Sequence, residues 1–185
     1  MANIYMALVH YPVYNKNREV IASALTTIDL HDLSRLAATY NLAGLYVVTP
    51  LEDQLRVAQE MIDHWCHGWG KAYNRNRSEA LSLVRLARSI RHTRAEITET
   101  CGLAPILIGT SASTVLNRAT YEQVSALTDG KTPVLLLLGT AWGLTTESLA
   151  ECDYNLEPIY GPTAYNHLSV RSAAGIILDR LFGRR

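Results

Sequence analysis

Short apolar runs alternate with longer segments of helical spacing along the chain. The runs at 4–9, 45–48, 105–109 and 134–138 predict buried strands. Their apolar residues do not alternate with polar ones, which is typical of strands covered on both faces. The sequence therefore predicts an α/β fold with a mostly parallel sheet and helices on both faces.

Helices are predicted where apolar residues recur every three or four positions. These segments are 32–40, 51–65, 121–127 and a last helix that starts near His167. Asp29 or Asp32 is the expected cap of the first helix, since a short polar side chain there accepts a hydrogen bond from the first turn.

The middle of the chain is predicted to hold a loop and one long helix. Residues 67–77 are polar and aromatic, which favours a loop. Ser78 then starts a long helix that reaches Cys101 and is ended by Gly102.

Glycine-containing turns follow three of the apolar runs, at 109–112, 139–144 and 160–163. In open α/β sheets ligands bind at the carboxyl ends of the strands, so these turns are candidate ligand loops, although ordinary tight turns would look the same. The chain has neither the dinucleotide-binding pattern Gly-x-Gly-x-x-Gly nor the phosphate-loop pattern Gly-Lys-Ser/Thr. Residues 165–174 add Tyr, Asn, His, Ser and Arg at the start of the last helix, more polar groups than a cap needs, which indicates a site.

Composition narrows the class of protein. The 185 residues suit one domain over 1–185, and 17 Lys and Arg balance 17 Asp and Glu. Zero net charge argues against a protein that coats nucleic acid, because such binding needs an excess of cations. Three scattered cysteines indicate a reducing compartment, and neither a membrane-length apolar run nor a signal peptide is seen, so a cytoplasmic protein without membrane contact is expected.

One basic and aromatic segment is a candidate RNA contact. Its predicted contact residues are Trp69, Lys71, Tyr73, Arg75 and Arg77 in the loop, with Arg85 and Arg88 on one face of the long helix. Aromatic rings that stack on bases, interleaved with cations that bind phosphates, are the combination that holds single-stranded RNA. A solvated loop followed by an ordinary charged helix is the alternative.

Three segments together resemble the SPOUT, or trefoil-knot, RNA methyltransferases. They are 136–144 (LLLGTAWGL), 156–161 (LEPIYG) and 165–173 (YNHLSVRSA). Residues 27–35 are similar to the superfamily's first motif, an Asn-x-x-x-x-x-Arg helix start. The resemblance covers nearly the whole chain and is greatest to a small bacterial group sometimes joined to a tRNA guanine-N1-methyltransferase.

The resemblance implies a deep trefoil knot in the C-terminal part and a homodimer that binds tRNA or rRNA across both subunits. It implies S-adenosylmethionine as the cofactor and no metal. The adenine would be held by backbone groups, with Leu138, Leu144, Ile159 and Leu168 as an apolar wall. The cofactor-binding positions that it implies are Thr110, Ser111, Leu138, Gly139, Thr140, Gly143, Leu144, Ile159, Gly161, Asn166, His167 and Leu168.

The sequence also departs from the pattern of the ribose-methylating branch. The span Gly139 to Gly143 lacks the Glu of that branch's second motif, and Asp29 stands at the Asn position of the first. These departures weaken the case for ribose 2′-O-methylation. A carboxylate or imidazole would suit deprotonation of a base nitrogen, a role that Asp29, Asp32, His31 or His167 could fill, while His31 and Asp32 could instead only cap a helix. Arg35 matches the motif's arginine and is the first candidate to contact the acceptor or its phosphate.

The leading hypothesis is an S-adenosylmethionine-dependent RNA methyltransferase whose acceptor atom the sequence does not name. An RNA-binding module on the same fold, without methyl transfer, is the second hypothesis. A small-molecule enzyme of the α/β class is the third.

Overall fold

The computed structural model of the protein describes residues 3–113 and 116–183. Seven strands form one sheet in the order β5-β4-β1-β8-β6-β9-β7, and every neighbouring pair is parallel. The strands are β1 (Ile4–Val9), β4 (Gly44–Val48), β5 (Val84–Ala87), β6 (Ile106–Thr110), β7 (Arg118–Ala119), β8 (Val134–Gly139) and β9 (Tyr154–Leu156). Two further strands, β2 (Val13–Tyr14) and β3 (Val20–Ile21), pair as a small antiparallel hairpin.

Helices cover both faces of this sheet. They are α1 (Thr27–Thr39), α2 (Glu52–Cys66), α3 (Trp69–Tyr73), α4 (Arg75–Leu81), α5 (Ile90–Cys101), α6 (Tyr121–Thr128), α7 (Thr146–Ala150) and α8 (Val170–Phe182). One core layer joins the sheet to α1, α2, α4, α6 and α8, and the other joins it to α5 and α7. The predicted α/β fold class is confirmed, whereas the trefoil knot stays a prediction. Among the described residues, none of the helices combines the length and the apolar composition that a membrane span requires.

The predicted long helix from Ser78 to Cys101 is wrong. The segment instead forms α4, the edge strand β5 and then α5, whose cap is Ser89. Ser78 lies inside α4. Asn74 is the N-cap of this helix, and its side chain accepts a hydrogen bond from the Arg77 amide. The strand β5 is only four residues long and includes the charged Arg85. Its apolar residues therefore fit a helical period as well as a strand.

The loop predicted over 67–77 is wrong as well, since most of it is helical in α3 and α4. The cap of α1 is Thr26, whose hydroxyl accepts from the Asp29 amide, so neither Asp29 nor Asp32 has that role. The last helix begins later than expected, because Ser169 caps α8 by accepting from the Ser172 amide.

The turn after β8 is fixed by backbone geometry. A Cβ on Gly139 would lie 2.4 Å from the Leu144 amide nitrogen, and Gly143 has a φ of +93°. The Trp142 amide donates to the Tyr14 carbonyl, and the Tyr14 amide donates to the Gly143 carbonyl. This turn is therefore held by the β2 strand as well as by its own hydrogen bonds.

A buried chain of hydrogen bonds ties the same turn to the end of β1. His10 directly follows β1 and is 0% exposed, and its Nδ1 lies 2.9 Å from the Ser23 hydroxyl. The Ser23 hydroxyl in turn contacts the Thr140 hydroxyl, which donates to the Val9 carbonyl over 3.0 Å. Burial lowers the pKa of His10 from the ordinary 6.5 to about 4, although the Asp29 charge opposes this, so the ring is neutral at pH 7.

We predict that Gly139→Ala destabilises the protein by about 1–3 kcal/mol, because the methyl group collides with backbone and not with a movable side chain. Gly161→Ala is the matched control, since a Cβ there meets no atom within 4 Å. Urea unfolding followed by circular dichroism measures both variants. Equal stability of the two would contradict the assigned strain.

We also predict that His10 makes stability fall in acid. Because its pKa in the folded chain lies below that in the unfolded chain, the unfolded state takes up the proton first as pH falls. The stabilisation is complete above about pH 6.5 and is lost toward pH 4, by about 3 kcal/mol for a shift of this size. Urea unfolding of wild type and His10→Asn across this range gives the difference; parallel pH profiles for the two proteins would contradict it.

Candidate active site

Three loops meet at the carboxyl edge of the sheet. The hydroxyl of Thr110, at the end of β6, donates to the Leu137 carbonyl of β8 over 2.8 Å. The side-chain amide of Asn166 donates to the Ala112 carbonyl over 2.8 Å, which joins the loop after β9 to the loop after β6. The predicted cofactor-binding segments therefore lie next to one another, although they are far apart in the sequence.

The expected apolar wall is not a single surface. Leu138 and Leu144 are 3% and 4% exposed and belong to opposite core layers, so their side chains support the loops from within. Ile159 is half-buried against the first layer, and Leu168 is 44% exposed. Of the four residues only Leu168 offers an exposed apolar side chain to a ligand.

The loop at 161–168 has a backbone suited to a ligand held by main-chain groups. Along this range the backbone forms no hydrogen bond to the backbone of any other residue that the structure describes. Gly161, His167 and Leu168 are exposed, and no atom lies within 4 Å of the position where Gly161 would carry a Cβ. A flat group such as adenine fits here on the donor and acceptor chemistry of these open amides and carbonyls.

An open cleft of about 460 Å³ lies between α1 and the first turn of α8. Its lining includes Asp32 and Arg35 from α1 and Ser169, Arg171 and Ser172 from the other side. Because Ser169 directly follows the loop at 161–168, the cleft adjoins the candidate cofactor loop. The structure thus brings the predicted catalytic helix and the predicted cofactor loop together.

Arg171 holds both candidate carboxylates of α1. Its Nε lies 3.1 Å from Asp29 Oδ1, and its guanidinium donates to Asp32 Oδ2 over 3.0 Å. Asp29 also accepts a hydrogen bond from the Thr26 hydroxyl over 2.6 Å. These carboxylates therefore orient an arginine. Arg35 is exposed and forms no ion pair within the described part of the chain, so its guanidinium is free to meet an anionic ligand.

His31 connects this cleft to the basic and aromatic segment. The His31 ring packs edge-on against the Trp65 ring, with the two centroids 5.8 Å apart. The Arg77 guanidinium lies over the same Trp65 ring, 4.4 Å from its centroid. Burial lowers the pKa of His31, and the nearby charges of Arg77 and Arg35 lower it further while Asp32 raises it. The imidazole is therefore neutral at pH 7 and its Nδ1 is buried without a hydrogen bond to the described residues.

The predicted RNA-contact residues fall into two groups. Trp69 and Tyr73 lie on α3, are 71% and 69% exposed, and stack on each other with centroids 5.0 Å apart. Lys71 and Arg75 are exposed beside them. This group, together with Arg77, forms one surface next to α1.

Arg85 and Arg88 lie elsewhere, which corrects the prediction that they share a helix face. Arg85 is on β5, half-buried, and donates to the Tyr46 hydroxyl over 3.2 Å in the core layer opposite to α1 and α4. Arg88 lies between β5 and α5 and pairs with Glu52 at the start of α2. Neither extends the surface formed by α3 and α4.

Three contributors to the site were not identified from the sequence. His10 and Ser23 form the buried chain to Thr140, and Trp65 joins His31 to Arg77. The only sequence signal for His10 is its place directly after a buried strand. Trp142, in the turn after β8, is 61% exposed and therefore does not pack in the core.

Comparison with known proteins identifies the family to which the chain is similar. A family model described as SAM-dependent RNA methyltransferase matches residues 3–183. A tRNA (guanine-N(1)-)-methyltransferase of Nitratidesulfovibrio vulgaris is 45% identical over 181 residues, which are 98% of this chain and 42% of the relative. An uncharacterized protein of Aquifex aeolicus is 39% identical over 98% of this chain and 89% of its own length. The chain thus spans less than half the length of the first of these relatives.

Solved structures share the fold at low sequence identity. A probable methylase family protein from Haemophilus influenzae has a TM-score of 0.61 and 20% identity over 97% of this chain and 65% of its own. The TrmH/SpoU tRNA modifying enzyme of A. aeolicus has a TM-score of 0.55 and 16% identity over 98% of this chain and 74% of its own. Together with the family match over almost every residue, these results show that the chain belongs to the SAM-dependent RNA methyltransferase family and shares the fold of the TrmH/SpoU tRNA modifying enzyme.

Proposed function

We propose that the protein transfers the methyl group of S-adenosylmethionine to a tRNA or rRNA. The observation that carries this proposal is the uncommitted guanidinium of Arg35 in a cleft that adjoins the open loop at 161–168. A cofactor loop beside a free cation is the arrangement that a methyl donor and a polyanionic acceptor need. Because the chain covers only 42% of the guanine-N1-methyltransferase relatives, the nucleotide named for them is not carried over.

The cofactor would be held by the three loops at the carboxyl edge. Its proposed contacts are Thr110 and Ser111 after β6, the turn from Leu138 to Leu144 after β8, and Ile159, Gly161 and Asn166 to Leu168 after β9. Bound there, it supplies an electrophilic sulfonium methyl group. The chain's own task is to position that group and to exclude competing acceptors.

The acceptor would lie in the cleft between α1 and α8. Arg35 contacts it or its phosphate, and Asp29 and Asp32 keep Arg171 oriented at the start of α8. His31, whose pKa is lowered by burial, presents a neutral imidazole one turn before Arg35, and the exposed His167 presents a second imidazole at the candidate cofactor loop. The commitment of both carboxylates to Arg171 also favours the second candidate, an RNA-binding module without methyl transfer.

RNA would reach this cleft across the surface of α3 and α4. Trp69 and Tyr73 offer stacked, exposed rings, and Lys71, Arg75 and Arg77 offer cations beside them. Arg77 also lies over Trp65, which contacts His31 one turn before Arg35 on α1, so these contacts lead from the surface toward the proposed acceptor site. Arg85 and Arg88 have no part in this surface.

We propose further that the protein is a cytoplasmic homodimer with one domain over 1–185. The exposed apolar side chains of Trp142, Tyr165 and Leu168 at the carboxyl edge support a partner there, since such groups are commonly covered in an interface. A single family model over 3–183 supports one domain, and three free thiols support a reducing compartment. The C-terminal knot belongs to the same proposal.

We expect Arg35→Ala to lower methyl transfer by about a hundredfold or more while the dissociation constant for S-adenosylmethionine changes by less than about threefold, because Arg35 contacts the acceptor only. Transfer is measured with labelled cofactor and RNA from a deletion strain, and binding by isothermal titration. Arg56→Ala, another exposed arginine, on α2, is the control. Equal loss of transfer and of cofactor binding would assign Arg35 to the cofactor instead. RNA binding by wild type with no transfer would support the second candidate.

We expect Trp69→Ala and Tyr73→Ala each to weaken RNA binding by about fivefold or more, since stacking contributes about 1–3 kcal/mol per base. Fluorescence anisotropy with a labelled single-stranded RNA measures the dissociation constant. Tyr154→Ala, an exposed aromatic residue on β9, is the matched control. Unchanged RNA affinity in both α3 variants would remove α3 from the proposed surface.

A further inference from the structure

The direction of the buried chain from His10 to Thr140 follows from its end at Val9, where the Thr140 hydroxyl donates. The Val9 carbonyl oxygen can only accept, and it accepts both from the Thr140 amide over 3.1 Å and from the Thr140 hydroxyl over 3.0 Å. The hydroxyl of Thr140 has therefore used its single proton, so it must accept a hydrogen bond from the Ser23 hydroxyl. Ser23 has then used its own proton, and its oxygen must accept from His10 Nδ1.

This direction fixes the protonation of His10. Nδ1 must carry the proton, and in a neutral ring Nε2 is then a bare acceptor. His10 Nε2 is buried and has no hydrogen-bond partner among the described residues. A buried acceptor without a partner costs free energy, and this cost offsets what the hydrogen bond between His10 Nδ1 and Ser23 contributes. Fold stability alone therefore does not account for histidine here.

We propose that His10, protonated at Nδ1, is a positioning residue that acts through Ser23 to hold the Thr140 turn in the geometry that the methyl donor requires. The inference rests on the proposed function, because that turn belongs to the proposed cofactor site. His10 contacts no ligand in this scheme. It orients Ser23, which orients the Thr140 hydroxyl, which in turn holds the end of β8 against the end of β1.

Position and chemistry both support this role. The β1 and β8 strands end in register at Val9 and Gly139, so Thr140 is the first residue beyond the sheet. The Ser23 amide donates to the His10 carbonyl over 2.8 Å, which holds the segment before α1 on the same support. These hydrogen bonds thus connect the segment before α1, the helix that carries Arg35, with the Thr140 turn of the proposed cofactor site.

Ser23→Ala provides the sharpest test, because Ser23 is not a proposed contact of the cofactor or the RNA. We expect about tenfold weaker binding of S-adenosylmethionine by isothermal titration. The urea midpoint should fall as well, because the buried His10 Nδ1–H loses its acceptor, so binding is measured without urea, where the variant is folded. His10→Asn places an amide donor near the Nδ1 position and should bind within about twofold of wild type. His10→Gln places its amide near the Nε2 position and should bind as weakly as Ser23→Ala.

Nuclear magnetic resonance of ¹⁵N-labelled protein tests the direction of the chain without any cofactor. At pH 7 we expect the His10 imidazole to show a proton on Nδ1 and none on Nε2. A proton on Nε2 would overturn the proposal. Wild-type cofactor binding with unchanged affinity in Ser23→Ala would overturn this inference alone, whereas absence of binding by wild type would overturn the proposed function together with it.

Discussion

The register between β1 and β8 is the constraint on which the site depends. Val9 lies opposite Gly139, so the two central strands end together and the chain must turn directly beyond both. Only glycine fits at 139, and Thr140 hydrogen-bonds back to Val9 from its amide and its hydroxyl. The turn is therefore positioned by the buried sheet and not by its own flexibility. A ligand at this edge meets a preformed surface, which lowers the entropy cost of binding.

The buried strands could be predicted from the sequence because their burial is visible in composition. The strands β1, β4, β6 and β8 are apolar along almost their whole length, which is typical of a parallel sheet covered on both faces. The edge strand β5 is different, because Arg85 interrupts it and its apolar residues fit a helix equally well. The short helices α3 and α4 meet at Asn74, whose side chain caps α4, and a polar composition does not distinguish this arrangement from a loop.

Part of the site was predictable for a similar reason, and part was not. Polar residues in excess of what a helix cap needs indicated the start of α8, and the structure brings that segment to α1 and Arg35. The pairing of His10 with Ser23 and of Ser23 with Thr140 joins positions 13 and 117 residues apart. Such contacts arise from strand order, which periodicity does not reveal. The contact of Arg77 with Trp65 arises instead from the packing of α4 against α2, which periodicity does not reveal either.

The charge that the cleft presents to a ligand depends on which charged side chains pair with one another more than on how many there are. Asp29 and Asp32 lie one helical turn apart on α1 and converge on the single guanidinium of Arg171, which they satisfy from two sides. Arg35 follows one turn later, and both nearby carboxylates are already committed. The four charged side chains sum to zero, yet the one that they leave available in the cleft is the cation Arg35. The whole chain likewise has zero net charge, yet it carries one local positive surface, because the cations of α3 and α4 lie together and are balanced elsewhere in the chain.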